Sequence, residues 1–121
     1  MGPAMNTFIM LTRVSPEAAK NPVSLETLEK DSARHIHEEC KNVKWVGSYA
    51  IMGPFDYLDI FTAPDIETAT RVSLIIRTYG RSHSEIWPAM EWDKFKQLLQ
   101  GTRERSKAAL FQTHVGWEPD V

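Results

Sequence analysis

Two titratable side chains at helical spacing, His35 and Glu39, are the first candidates for chemistry in this sequence. Residues four apart are neighbours on a helix, so the carboxylate of Glu39 can orient the imidazole of His35. General bases and metal-bound histidines use this arrangement. We therefore take His35 as a candidate catalytic base and Glu39 as the group that orients it. The alternative is that both side chains end in solvent near the end of the helix.

The run from His35 to Cys40 does not predict a metal centre. His35 and His37 point about 200° apart on a helix and cannot share an ion. The remaining pairs, such as His37 with Cys40, lack a clear third ligand. We expect no metal ion. The sequence also names no cofactor, since it contains neither a P-loop nor a glycine-rich dinucleotide motif.

Turn and cap signals divide the chain into alternating strands and helices. Ser24 is predicted to cap the first helix, Gly80 to end the second in a left-handed conformation, and Gly101 to end the third. Gly53-Pro54 marks the turn of a β-hairpin. Strands are predicted at residues 7–14, 43–51, 55–63 and 82–87, and helices at 24–40, 66–79 and 92–100.

This order of elements predicts an α+β fold of the ferredoxin-like β-α-β-β-α-β type. The fold is a four-stranded antiparallel sheet with two helices on one face, here followed by a C-terminal helix and tail. A length of 121 residues fits one domain. We place that domain at residues 5–100 and an extension at 101–121, and we expect residues 1–4 to be a remnant of tag removal.

The predicted hairpin loop assigns each strand residue to a face of the sheet. A loop at residues 53–55 pairs Tyr49 with Asp59, and side chains alternate from there. The face under the helices then receives Phe8, Met10, Val46, Leu58, Ile60 and Ile86, and the opposite face Ile9, Leu11, Trp45, Asp59, Phe61 and Trp87. Because both faces are apolar, we expect a second copy to cover the outer one, which predicts a homodimer.

Several residues expected beneath the first helix are small. Thr12, Ser48, Ala50 and Ser84 could leave a concave space with a few hydroxyls, which is typical of small-molecule sites. The alternative is that large side chains fill this space. On the outer face, Arg13 is expected to pair with Asp59 or Glu85 across the dimer.

Composition excludes several classes of partner. The chain carries 14 basic and 16 acidic residues, so binding to a phosphate backbone has no bulk electrostatic support and we expect no nucleic acid partner. Its uncharged stretches are too short to cross a membrane. With one cysteine, Cys40, and no evident secretory signal, we expect a cytoplasmic protein.

One segment resembles a known family. The run Gly53-Pro54-Phe55-Asp56-Tyr57-Leu58-Asp59-Ile60-Phe61-Thr62-Ala63-Pro64-Asp65, followed by a helix and a last strand, is similar to the GYD domain family over roughly residues 6–100. Gly53 and Asp56 match the namesake pattern, and Phe55 stands where that pattern has tyrosine. The resemblance implies a dimeric α+β barrel. It implies no single activity, because proteins of this architecture include oxygenases, isomerases, haem enzymes and ligand binders.

Two functional hypotheses follow. In the first, the dimer binds a small, partly apolar compound between the first helix and the sheet, with His35 and Glu39 available for cofactor-independent acid–base chemistry. In the second, the chain is a non-catalytic regulatory or protein-interaction module whose sheet faces serve assembly.

Overall fold

The structure, a computed structural model, describes residues 5–113, apart from the side chains of residues 22–24 and 109–113. The predicted remnant at residues 1–4 and the last part of the predicted extension, residues 114–121, lie outside the described residues. The chain divides into two compact units, one ending at Ala89 and the other beginning at Met90, and each is described by itself.

The first unit is a four-stranded antiparallel sheet with two long helices, as the sequence predicts. Its strands lie in the order β2-β3-β1-β4, with every neighbouring pair antiparallel. One short helical turn is added after the first strand. The elements are β1 (Asn6–Val14), α1 (Pro16–Ala19), α2 (Pro22–Glu39), β2 (Lys44–Ala50), β3 (Tyr57–Ala63), α3 (Ile66–Tyr79) and β4 (Ser82–Ala89).

Helix α2 begins at Pro22, three residues before the start that a cap at Ser24 predicts. Proline suits the first helical position because it has no amide hydrogen to leave unpaired and its φ is already helical. The amide of Leu25 donates to the carbonyl of Asn21 over 3.1 Å and closes the first turn.

Gly80, at the end of α3, is required for space and not for a left-handed backbone. Its φ is −85°, and the left-handed residue is Arg81, with φ 50°. The predicted conformation of Gly80 is therefore wrong. A Cβ at this position would lie 2.6 Å from the carbonyl oxygen of Ile76 and 3.1 Å from Oγ of Ser32. A larger residue at this position would crowd the last turn of α3 and the Ser32 side chain of α2.

The β2–β3 hairpin differs from the prediction by one residue in register. Asp59 lies opposite Ser48 and not opposite Tyr49, and a β-bulge between Trp45 and Gly47 shifts the pairing once more. A shift of one residue moves a side chain to the other face of a sheet. Residues of β3 that were expected to point outward therefore lie under the helices.

Asp56 accounts for the longer hairpin loop. Its amide donates to the carbonyl of Thr12, and its own carbonyl accepts from the amide of Ile51. Its carboxylate accepts from the amide of Val14 over 2.8 Å. The loop is thereby tied to the end of β1, and strand pairing starts only at Tyr57.

The helix-facing side of β2 and β3 carries Trp45, Ser48, Ala50, Tyr57, Asp59 and Phe61. The predicted outward positions of Trp45, Asp59 and Phe61 are wrong, as are the inward positions of Leu58 and Ile60. A pairing of Arg13 with Asp59 on the outer face is excluded for the same reason. Arg13 instead donates from Nε to the carbonyl of Pro54 over 2.9 Å.

The hydrophobic core lies between this side of the sheet and the two helices. Phe8 and Phe61 stack across neighbouring strands with ring centroids 5.8 Å apart, and Phe61 is completely buried. The other buried apolar members of the core are Met10, Ile36, Cys40, Ala63, Ala69, Val72 and Ile75.

The outer face of the sheet is also apolar, as expected. Leu11 lies opposite Leu58, and Ile9 opposite Ile60. Tyr49 and Trp87 flank these pairs and are 58% and 48% exposed. Large side chains of this kind in solvent are typical of a surface that another molecule covers.

The second unit contains one helix, α4 (Trp92–Thr113), which continues through Gly101. The predicted helix end at Gly101 is wrong because one glycine inside a helix costs only about 1 kcal/mol, which the helix-forming residues around it offset. Across the residues that the structure describes, no helix has the length and apolar character needed to cross a membrane.

Candidate functional site

A groove separates α2 from the part of the sheet that β2 and β3 form. Helix α2 packs on α3, where Gly80 permits a close approach. Beyond Trp45, β2 offers the small side chains of Ser48 and Ala50 on this side of the sheet, and both are exposed. The space left over has a larger lobe of about 840 Å³ and a smaller lobe of about 450 Å³.

The larger lobe has an apolar floor. Met10, Ile36, Cys40, Val43 and Ile76 contribute this floor, and Trp45 stands at the sheet side. An open groove of this size, with an apolar floor and polar side chains around it, can accommodate a small molecule.

The smaller lobe contains three of the four residues that the sequence proposed for ligand binding, Thr12, Ser48 and Ala50. The fourth, Ser84, lies elsewhere. It is completely buried, and its hydroxyl lies 2.5 Å from the hydroxyl of Ser73. Ser84 therefore joins β4 to α3 and does not line either lobe.

The two lobes meet at a polar junction, whose shared residues are Glu29, Ser32, Ser48, Asp59 and Ile76. Ser32 is 3% exposed, and its Oγ has no hydrogen-bond partner among the described residues. A buried hydroxyl without a partner costs free energy that a bound molecule or water can recover.

Asp59 is the half-buried carboxylate of this junction. Its Oδ1 accepts a hydrogen bond from the indole Nε1 of Trp45 over 3.2 Å. The same indole donates to Oγ of Ser48 over 2.8 Å. Burial raises the pKa of Asp59 above its ordinary 3.8, while hydrogen bonds from Ser48 and Trp45 oppose the rise. Among the described residues, no Lys, Arg or His forms an ion pair with it.

Trp45 is held in place by the core. Its ring stacks on Phe61 with centroids 5.1 Å apart and an angle of 12° between the planes. It remains 37% exposed, so it joins the buried core to the open groove. The Trp45 indole is thus a fixed donor that positions the Asp59 carboxylate.

His35 and Glu39 form the pair that the sequence suggested, but outside the groove lining. His35 Nδ1 lies 3.3 Å from Glu39 Oε2. The imidazole stacks on the ring of Tyr79 with centroids 3.6 Å apart, which directs it towards α3. The histidine that lines the larger lobe is His37.

Sequence reasoning missed Asp59, Trp45 and Glu29 as groove residues. The signal that could have identified two of them is Gly47, since a lone glycine inside a strand often marks a bulge. The bulge at this glycine and the longer loop together turn Trp45 and Asp59 towards the helices.

The groove does not have the composition of a metal centre. Within residues 5–113, no group of three His, Cys, Asp or Glu side chains could hold an ion. Cys40 lines the larger lobe, and burial raises the pKa of its thiol. A thiol with a raised pKa is a poor nucleophile.

The raised pKa of Asp59 gives a testable pH dependence. The folded chain binds a proton at the Asp59 carboxylate more tightly than the unfolded chain does. Protonation of Asp59 therefore stabilises the folded chain, and this contribution is complete below pH 3.8, the ordinary pKa of the group. This stability is lost as the pH rises through the raised pKa. Asp59→Asn should therefore raise the free energy of unfolding at neutral pH, and its advantage should shrink in acid.

Urea unfolding of both chains at several pH values measures this difference. Glu67→Gln, which removes an exposed carboxylate from the first turn of α3, is the control and should show no such gain. An Asp59→Asn chain that is less stable than the parent at neutral pH would contradict the expectation.

Comparison with known proteins places the chain in a family. The model of the GYD domain matches residues 8–99. A curated relative from Thermus thermophilus, named glutamine synthetase and cystathionine beta-lyase binding protein, is 29% identical over 80 residues, which make up 63% of this chain and 79% of the relative. Among solved structures, the de novo designed protein Foldit4 is similar at 16% identity and a TM-score of 0.44, over 72% of this chain and 97% of that one.

The family match covers the sheet, both helices that pack on it and the first part of α4. It includes the hairpin loop in which Asp56 ties β3 to β1. By this match, the chain belongs to the GYD domain family.

Proposed function

We propose that the chain is a binding protein that takes a small, partly apolar molecule into the groove between α2 and the sheet. The observation that carries this proposal is the groove itself, with its apolar floor and the half-buried carboxylate at its junction. Such a combination binds an apolar body by burial and orients it by a few polar contacts.

The same geometry favours binding over catalysis. His35, the candidate base, stacks on Tyr79 and is not among the residues that line the groove. The Asp59 carboxylate accepts hydrogen bonds from the indole of Trp45 and from the hydroxyl of Ser48, two neutral donors that position it as an acceptor for a ligand. We therefore propose no chemical step for this site.

Filling the groove tests the proposal. Ala33 lies on α2, lines the larger lobe and is exposed, so Ala33→Trp should occupy the lobe without disturbing the core. Ligand-observed NMR with a mixed library of small charged and neutral compounds should find binders of the parent chain that Ala33→Trp no longer binds.

Lys30→Trp is the matched control. Lys30 is an exposed residue of α2 that lines neither lobe, and this variant should bind the same compounds as the parent. If every binder is retained by Ala33→Trp, the groove is not a small-molecule site.

We further propose that the protein is a homodimer through the outer face of the sheet. Ile9, Leu58 and Ile60 are half-buried there around the buried Leu11, and the exposed rings of Tyr49 and Trp87 lie beside them. A second copy presents the same surface, which is the condition for a two-fold interface.

Light scattering should give about twice the mass of one chain, 13.8 kDa. Trp87→Glu should shift the protein to the monomer, because an unpaired charge in an apolar interface costs several kcal/mol. Leu74→Glu, at an exposed apolar residue of α3, is the matched control and should leave the dimer intact. A parent chain that is monomeric at micromolar concentration would refute this assembly.

A second candidate function, a protein-interaction module, is favoured by the name of the Thermus thermophilus relative, which describes the binding of two enzymes. In that case this chain would bind a metabolic enzyme and regulate it. The small-molecule groove and an enzyme-binding surface are compatible in one protein, since a ligand could alter the affinity for the partner.

Surface plasmon resonance with purified glutamine synthetase from the source organism tests the second candidate. Binding should be saturable and should persist in Lys30→Trp. Absence of binding by the parent chain at micromolar concentrations would remove glutamine synthetase as a partner, whatever the result of the groove experiment.

A further inference from the structure

The groove is strongly biased towards negative charge. Among the described residues, the smaller lobe is lined by three carboxylates, Glu26, Glu29 and Asp59, and by no Lys, Arg or His. The larger lobe adds Glu38 to Glu29 and Asp59. An anionic ligand would meet repulsion from these groups at short range, where solvent screens charges least.

Within the part of the chain that the structure describes, the basic groups of the groove are His37 and Lys41, two exposed residues of the larger lobe. Neither forms an ion pair with Asp59 within the described part of the chain. The Asp59 carboxylate is therefore half-buried with neutral donors alone. A carboxylate in this position gains most from a cationic partner that displaces water from it.

The phenol of Tyr57 also lies close to negatively charged side chains. Burial raises the pKa of its phenol, and the carboxylates of Asp56 and Glu29 raise it further. Tyr57 lines the smaller lobe next to Asp59. The part of this shift that the two carboxylates cause has the sign that disfavours an anionic ligand at this point and favours a cation.

The lining also fixes the shape of a suitable ligand. The carboxylate lies at the junction, and the apolar floor of Ile36, Val43 and Ile76 extends from it beside the ring of Trp45. Ser32 adds a buried hydroxyl without a partner at the same junction. A ligand that fits has its charged nitrogen at one end and an apolar group of several carbon atoms at the other.

From this arrangement we infer that the groove selects an organic cation, an amine with an apolar body, whose ammonium group binds the Asp59 carboxylate at the junction of the two lobes. The inference rests on the small-molecule groove proposed above. It adds the class of ligand and the residue that recognises it.

Three probes with one apolar body and different charge test the inference: 2-phenylethylamine, 3-phenylpropionate and 2-phenylethanol. Isothermal titration calorimetry at neutral pH should show binding of the amine, weaker binding of the alcohol and none of the acid. Asp59→Asn should weaken amine binding by about 10- to 100-fold, the usual effect of removing a charged hydrogen-bond partner, and should leave the alcohol unchanged.

The control is Glu67→Gln, which removes the same charge from an exposed site on α3 and should change amine binding by less than about twofold. The inference is overturned if the acid or the alcohol binds as tightly as the amine, if no amine binding is seen at millimolar concentrations, or if Asp59→Asn has no effect.

Ala33→Trp separates failure of this inference from failure of the groove. If the acid or alcohol binds and Ala33→Trp abolishes that binding, the groove binds small molecules but does not select cations. If the amine still binds to Ala33→Trp, it binds elsewhere, and the inference is wrong.

Discussion

The hydrogen bonds that Asp56 makes to the end of β1 set the register on which the groove depends. They tie the hairpin loop to Thr12 and Val14, so that β3 starts at Tyr57 and its third residue faces the helices. That residue is Asp59. The aspartate of the family motif therefore bonds to backbone groups of β1 and the hairpin loop, and the register that accompanies these bonds turns Asp59 towards the groove.

The order of elements could be predicted from the sequence because each boundary carries its own local signal, such as Gly53-Pro54 in the hairpin and Asp65 before α3. The side of the sheet to which each residue of β2 and β3 points could not be predicted in this way. It depends on the length of the hairpin loop and on the β-bulge, and both are tertiary features. A shift of one residue in the strand register decides whether the Asp59 carboxylate lies on the outer face of the sheet or in the groove. The spacing of His35 and Glu39 correctly predicted their contact, but not the stacking on Tyr79, which depends on how α2 crosses α3.

Asp59 lies at a position where a core residue would be apolar. Asp59 pairs with Met10 on β1 and with Ser48 on β2, in the middle of the helix-facing side of the sheet. An apolar residue at this position would bury more apolar surface and would need no hydrogen-bond partner. Retaining a carboxylate there costs stability, which Trp45 and Ser48 offset only in part through their hydrogen bonds. Such a local cost is common where a protein keeps a group ready for another molecule.

The crossing of α2 and α3 at Gly80 has a consequence for how this site can change during evolution. An added methyl group at Gly80 would lie 2.6 Å from the carbonyl oxygen of Ile76 and 3.1 Å from Oγ of Ser32, so the end of α3 and the Ser32 side chain would have to shift. Because α2 forms one wall of the groove, its distance from the sheet depends on this crossing. Because Gly80 and Ser32 both line the smaller lobe, a larger residue at position 80 is expected to narrow that lobe of the proposed binding groove.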